Sequence, residues 1–334
     1  MLKKYFIFSL IFVLIVSCSS KNNKEKVVIY SPHTDPLLEN IAERFEAETG
    51  IYVEFVQAGT DAVVERIRSE KDSPKADVMY GGSATYMEIL KKEGLLEKSN
   101  PTWKDNIDPM FVDKDGYWYG PMQTPAVLFY NTNNVKGDLI PKDWSDLTNS
   151  KFKDKLLWLR AGGTANIFLA VMVYQFEKQD SIEGAWNFLK KFDDNVYRYY
   201  AESGIMYNDI NSPIGNISMF VLPYIADGIY KSNYPWDIAR TESGVINIID
   251  AIAAVKNGPN PENAQKFIEF AGSKENMIIL ANEFNRMPTD PNALAESPQW
   301  MKEFDIPSMD IDWAYVSEKM GEWVKYFDDN IRSK

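Results

Sequence analysis

The sequence is short of the residues from which most catalytic and metal sites are built. Among 334 residues there is one cysteine, Cys18, and one histidine, His33. A lone thiol forms no internal disulfide, and without a second Cys or His the common zinc and iron–sulfur frameworks are excluded. There is no GxSxG elbow, no HExxH pair, no Walker loop and no GxGxxG turn, so the signatures of serine hydrolases, zinc proteases and nucleotide-binding enzymes are all missing. Basic residues are scarce as well: 36 Lys and Arg stand against 48 Asp and Glu, a formal net charge of −12. Nucleic-acid binding draws its affinity from Lys and Arg on phosphates, so that partner is excluded, and a small anionic ligand would need a local site. Carboxylate-pair chemistry is open to a chain with this many acids, but nothing in their spacing selects a pair, and no enzymatic activity is expected. With 45% apolar and 25% charged residues the chain is nonetheless an ordinary globular one, long enough for two domains at roughly 150 residues each.

The longest apolar run, Tyr5 to Val16, is too short for a membrane span, which takes about 20 residues. It follows Met1-Leu2-Lys3-Lys4 and leads to Ile15-Val16-Ser17-Cys18, the charged, apolar and small-residue order of a secretory signal. Leu14-Ile15-Val16-Ser17-Cys18 also resembles the bacterial lipobox, in which a peptidase cuts before Cys and the new N-terminus is acylated. Residues 1–17 therefore read as a lipoprotein signal and Cys18 as the lipidated residue, with a plain secretory signal and an incidental Cys as the alternative. Residues 18–26 are polar and aperiodic and read as a tether. The folded body is expected outside the cytoplasmic membrane, on the periplasmic side or the cell surface, held to the membrane by lipid alone.

That body alternates strands and helices. Val27–Tyr30, Ile51–Val56 and Asp77–Tyr80 read as strands. Each is followed by a polar or small-residue loop and a helix, at Leu37–Phe45, Ala62–Glu70 and Ala84–Lys92. Three such units predict a parallel sheet with crossover helices, and such sheets bind ligands beyond the carboxyl ends of their strands. Asp115-Gly116 reads as a hairpin turn before a strand at Ala126–Tyr130. A second series follows: a turn and short helix at Pro141–Leu147, a strand at Lys155–Leu159, a loop Ala161–Asn166, helices at Ile167–Phe176 and Ile182–Phe192, and strands at Ile217–Leu222 and Ile246–Val255. Amphipathic helices at Pro261–Ala271 and Asp312–Asn330 close the chain.

Four segments, Val28-Ile29-Tyr30-Ser31-Pro32-His33, Phe45–Ile51, Ala76–Tyr80 and Asn260–Ile268, resemble in family order the ferric-iron-type extracellular solute-binding proteins of ABC importers. The resemblance implies an α/β type II periplasmic-binding fold, two α/β lobes joined by crossing strands, with the solute between them and an ABC permease as partner. Lobe one is then expected from 27–125 and 250–292 and lobe two from 126–249, with crossing segments near Pro125–Tyr130 and Val245–Ala251 and C-terminal helices over 293–334. The chain is expected to work as a monomer without a cofactor. The family includes binders of ferric ion, phosphorylated sugars and phosphonates.

Two ligand readings stay open. Ferric-ion relatives use a tyrosine pair from the second lobe with a His and a Glu from the first. Here Gly81-Gly82 stands where that Glu would be, and the family His aligns nearer Thr34 than His33. The alternative Fe(III) ligands are His33, Tyr224 and the pair Tyr199-Tyr200, which lies upstream of the family position. The anion reading rests on Ala58-Gly59-Thr60, Gly81-Gly82-Ser83 and Gly162-Gly163-Thr164. Each follows a strand and precedes a helix, so backbone N–H groups and a hydroxyl meet the positive end of a helix dipole, which suits phosphate, phosphonate or carboxylate. Each is equally a glycine turn with a capping hydroxyl. Ser31 and His33, after the first strand, join this candidate set, and Arg286 offers a clamp or a surface ion pair. For a sugar-like end of the ligand the candidates are Trp118, Tyr119, Glu202, Ser203, Tyr224 and Asp227, any of which also serves for packing.

Overall fold

The computed structural model describes residues 25–160 and 163–333. The strands are β1 (Lys26–Ser31), β2 (Tyr52–Gln57), β3 (Val78–Ser83), β4 (Leu96–Glu97), β5 (Tyr119–Asn131), β6 (Leu156–Leu159), β7 (Val196–Tyr200), β8 (Ile217–Val221), β9 (Trp236–Ile238), β10 (Ile246–Val255) and β11 (Met287–Pro288). The helices are α1 (Asp35–Thr49), α2 (Thr60–Ser69), α3 (Ala84–Lys92), α4 (Gly163–Gln179), α5 (Ile182–Asn195), α6 (Ser203–Ile210), α7 (Leu222–Ala226), α8 (Pro261–Ala271), α9 (Lys274–Phe284), α10 (Pro291–Leu294), α11 (Gln299–Lys302) and α12 (Trp313–Asn330). Along the main sheet path the order is β2-β1-β3-β10-β5-β8-β6-β7.

The first units form for the reasons the sequence suggests. After its first residue β1 is buried throughout, as a strand covered by helices on both faces must be. Helix α1 buries Leu37, Leu38, Ile41, Ala42 and Phe45 on one stripe and stops at Gly50, whose φ of 74° is the left-handed cap that glycine supplies without strain. Strand β1 pairs in parallel with β2 and β3, and β6 pairs in parallel with β7 and β8, giving two parallel groups. Asp77 ties the first group to the C-terminal segment. It is 1% exposed, and its carboxylate accepts from the backbone of Val28 at 2.7 Å, the backbone of Asn260 at 2.6 Å and the Asn260 side chain at 2.9 Å.

The two groups meet at β5 and β10. The first half of β5 pairs antiparallel with β10, and its second half, from Ala126, pairs with β8 and β9. Strand β10 in turn pairs with β3 through Asp250–Ala254. Both strands therefore run from one lobe into the other, which is the crossing arrangement expected. Strand β5 starts seven residues before the expected Ala126, because pairing with β10 extends back to Tyr119 opposite Ile252. Helix α4 begins at Gly163 instead of Ile167. The sequence reading did not include α6, α9 or β7. The last of these is an edge strand with only its two end residues buried, so it lacks a buried run.

Helix α12 lies across the back of the molecule against α3 of the first lobe and α4 of the second. Tyr326 stacks on Trp186 at 4.3 Å, Tyr315 packs beside Tyr174, and Lys92 pairs with Glu318 at 3.2 Å.

Candidate functional site

A cleft of about 330 Å³ opens where the lobes meet. The first lobe contributes Pro32 and His33 after β1, Gly59 and Thr60 after β2, and Gly82 and Ser83 at the end of β3. These are the carboxyl ends of three neighbouring strands, where loop amides and helix N-termini gather. The second lobe contributes Gly163 and Thr164 at the start of α4, with Tyr224 in α7. The crossing strands and the segment after α9 supply the floor: Thr124 from β5, Asp250 from β10, and Arg286. All three small-residue loops thus face one space, so the first turns of α2, α3 and α4 point at it; Ala161 and Gly162 lie outside the described residues.

The hydroxyl of Ser83 separates the two readings of its loop. Ser83 sits at the N-cap of α3, yet its side chain makes no capping hydrogen bond. Its Oγ is buried without a partner, as are Thr124 Oγ1, His33 Nε2 and Arg286 Nε, and all four residues line the cleft. A buried polar atom left unpaired costs about 1–3 kcal/mol, so these four are groups that a polar molecule entering the cleft can satisfy.

The electrostatics are finely balanced. The ring of His33 is 4% exposed and packs edge-on against Tyr80 at 4.9 Å. Burial pushes its pKa down to about 4, with Asp250 opposing the shift and Arg286 adding to it, so the imidazole is neutral at pH 7. Asp250 Oδ1 lies 3.6 Å from His33 Nε2, and its Oδ2 lies 3.9 Å from Arg286 Nη1. The carboxylate and the guanidinium offset each other, which leaves helix dipoles and amide groups to attract a charge.

Several expected residues lie elsewhere. Ser31 is fully buried behind the cleft; its hydroxyl donates to the Tyr80 carbonyl at 2.6 Å and accepts from His33 N at 3.1 Å, so it shapes the turn without lining the space. Trp118 is buried and donates to Glu88 at 2.8 Å, while the Tyr119 hydroxyl donates to the Ser99 carbonyl. Asp227 is turned from the cavity, accepting from Asn285 at 2.5 Å and pairing with Lys231 at 2.8 Å. Tyr199 donates to Asp193 at 2.8 Å and Tyr200 to Asp209 at 2.7 Å, so neither phenol of the pair reaches the cleft. Glu202 and Ser203 line a separate hollow of about 450 Å³ that borders Gly163 and Thr164.

The sequence reading missed Tyr86, Thr124 and Asp250. Asp250 carried a legible signal, as the one acid inside the apolar run Ile246–Val255. Among the described residues no three His, Cys, Asp or Glu side chains come together as a metal site.

Two α/β lobes built on parallel strand groups, joined by two crossing strands around a polar cleft of small-molecule size, define a solute-binding protein. The chain belongs to the family of bacterial extracellular solute-binding proteins, whose sequence pattern matches residues 73–319. It is 28% identical to the "Probable ABC transporter periplasmic-binding protein y4fP" of Sinorhizobium fredii, over 96% of this chain and 90% of that one. It is 27% identical to the "Putative 2-aminoethylphosphonate-binding periplasmic protein" of Salmonella typhimurium, over 70% and 68%. Among solved structures, the apo ferric ion-binding protein A of Pasteurella haemolytica superposes with a TM-score of 0.81 at 21% identity, covering 91% of this chain and 97% of that one. The periplasmic binding protein AfuA from Actinobacillus pleuropneumoniae, with exogenous fructose-6-phosphate bound, superposes with a TM-score of 0.76 at 22% identity, covering 93% and 100%. The fold is that of the type II periplasmic-binding proteins.

Proposed function

We propose that this chain is the extracytoplasmic solute-binding lipoprotein of an ABC importer, and that it captures a small organic anion, a phosphorylated sugar or a phosphonate, for delivery to the permease. The observation that carries this reading is the convergence of three helix N-termini with the free hydroxyl of Ser83 on one cleft. Amides at Gly59-Thr60, Gly82-Ser83 and Gly163-Thr164 present donors to an oxyanion from both lobes, and Arg286, its charge offset by Asp250, adds N–H donors. An anion bridging α2 and α3 on one side and α4 on the other would draw the lobes together about β5 and β10. The names of the phosphonate and ABC-transporter relatives support it, as does the sugar phosphate in the AfuA structure. The chain acts in this reading as a monomer without a resident cofactor, anchored through Cys18, which lies outside the described residues.

Ferric iron is the competing solute, favoured by the ferric-binding structural neighbour and by His33, Asp250 and Tyr224 on the cleft wall. The engagement of Tyr199 and Tyr200 with Asp193 and Asp209 counts against it. A thermal-shift screen tests the proposal: sugar phosphates or phosphonates should raise the melting midpoint in proportion to the logarithm of concentration, and a rise with ferric salts alone would refute it.

A further inference from the structure

An anion site explains the small-residue loops but leaves Asp250 unaccounted for. It is the only carboxylate on the cleft wall among the described residues. Strand β10 is irregular beside it: its pairing with both β3 and β5 shifts register between Asp250 and Ile252, and a bulge of this kind re-aims a side chain. The carboxylate is 8% exposed and forms no side-chain hydrogen bond, since its nearest partners, neutral His33 and cationic Arg286, stand at 3.6 and 3.9 Å. Those neighbours each carry an unpartnered buried nitrogen, His33 Nε2 and Arg286 Nε. A carboxylate held only by long contacts, and two nitrogens without hydrogen-bond partners, therefore surround the same corner of the cleft.

A second oxyanion does not fit there, because it would face the carboxylate at close range. An ammonium fits poorly: it donates to Asp250 but meets the Arg286 guanidinium, and it has no lone pair for Arg286 Nε. A hydroxyl satisfies every group: it donates its one proton to Asp250, and its two lone pairs accept from Arg286 Nε and from the Nε2–H tautomer of neutral His33.

We propose that Asp250, supported by Arg286 and His33, reads a hydroxyl of the solute, so that the cleft selects hydroxylated anions over amino-bearing ones. This rests on the anion reading of the cleft. It departs from what the name of the Salmonella relative would suggest for this chain. A site built to pair a substrate hydroxyl rejects the analogue that lacks it, because its own buried groups are then left bare.

The test is calorimetry with a matched series, ethylphosphonate, 2-hydroxyethylphosphonate and 2-aminoethylphosphonate, together with fructose 6-phosphate. A hydroxylated probe should bind about 10- to 100-fold more tightly than ethylphosphonate, and the amine no more tightly than ethylphosphonate. The near-isosteric Asp250→Asn, checked for an unchanged fold by circular dichroism, should erase most of the hydroxyl gain, bringing the affinities for 2-hydroxyethylphosphonate and ethylphosphonate close to each other. Tighter binding of the amine than of the hydroxyl would overturn the inference. So would a hydroxyl that gains nothing, or an Asp250→Asn variant weakened equally toward every probe. If no phosphonate or phosphate ester binds the wild type, the anion reading itself fails, and it fails before Asp250 is changed.

Discussion

A Cβ on Gly81 would lie 2.5 Å from His33 Nε2. The single histidine of the chain is seated in the space that a missing side chain leaves, and Gly81 also holds a φ of 94°, which an L-residue adopts only with strain. This glycine is thus what allows the imidazole onto the cleft wall. Gly81→Ala should cost about 1–3 kcal/mol of stability and displace the ring. Chemical denaturation measures the first effect, and solute affinity, expected to fall, measures the second.

Thr164 offers a clean way to place a charge in the cleft. It sits in the first turn of α4, where an acid is compatible with the helix dipole, and its residue lines the cavity. Thr164→Asp should fold normally and weaken an anionic solute by on the order of 2 kcal/mol, more than tenfold in affinity. Iron binding predicts the reverse, since a further carboxylate is a further ligand. Gly82→Asp would be a poorer probe, because φ at Gly82 is 87° and backbone strain would mix with the charge effect.

The buried imidazole makes stability depend on pH. With a folded pKa of about 4 against an ordinary value of 6.5, the unfolded chain takes up a proton that the folded chain refuses. The His33 contribution is complete above pH 6.5 and is lost as pH falls toward 4, by roughly 3 kcal/mol in all. His33→Gln should flatten this part of the curve. Melting midpoints from pH 4 to 7 on both proteins check it: parallel curves would show that His33 does not titrate in this window.

Lipid attachment at Cys18 is tested by fractionation. Cys18→Ser should move the protein from the membrane to the soluble fraction, because the preceding apolar run is too short to hold it. Continued membrane retention after washing would reject the anchor.

The fold was largely legible because its parallel units announce themselves. Apolar strands end in Pro, Gly, Ser or Thr, and helix stripes such as Leu37 to Phe45 are unambiguous. The loop residues Gly59, Thr60, Gly82, Ser83, Gly163 and Thr164 were legible for the same reason, since a chain reversal after a parallel strand points to the ligand-facing edge. Residues whose roles depend on long-range pairing were not. Trp118 and Tyr119 look exposed beside a hairpin turn, but the pairing of Tyr119 with Ile252 draws β5 back into the sheet and buries them. Tyr199 and Tyr200 form a conspicuous pair in sequence, yet carboxylates six and nine positions away claim their hydroxyls. Asp250 stands out locally as the one acid of an apolar strand, but its place on the cleft wall depends on the irregularity in β10, which no local pattern records.

The central claim is that the cleft holds a small organic phosphate or phosphonate by amides and hydroxyls contributed by both lobes. Titration calorimetry on the wild-type protein, stripped of carried-over solute by mild unfolding and refolding, addresses it most directly. The account predicts saturable one-to-one binding of a sugar phosphate or phosphonate, with ferric citrate giving no more heat than citrate alone. Tight one-to-one uptake of ferric iron, unaffected by phosphate esters and lost in Tyr224→Phe, would contradict it.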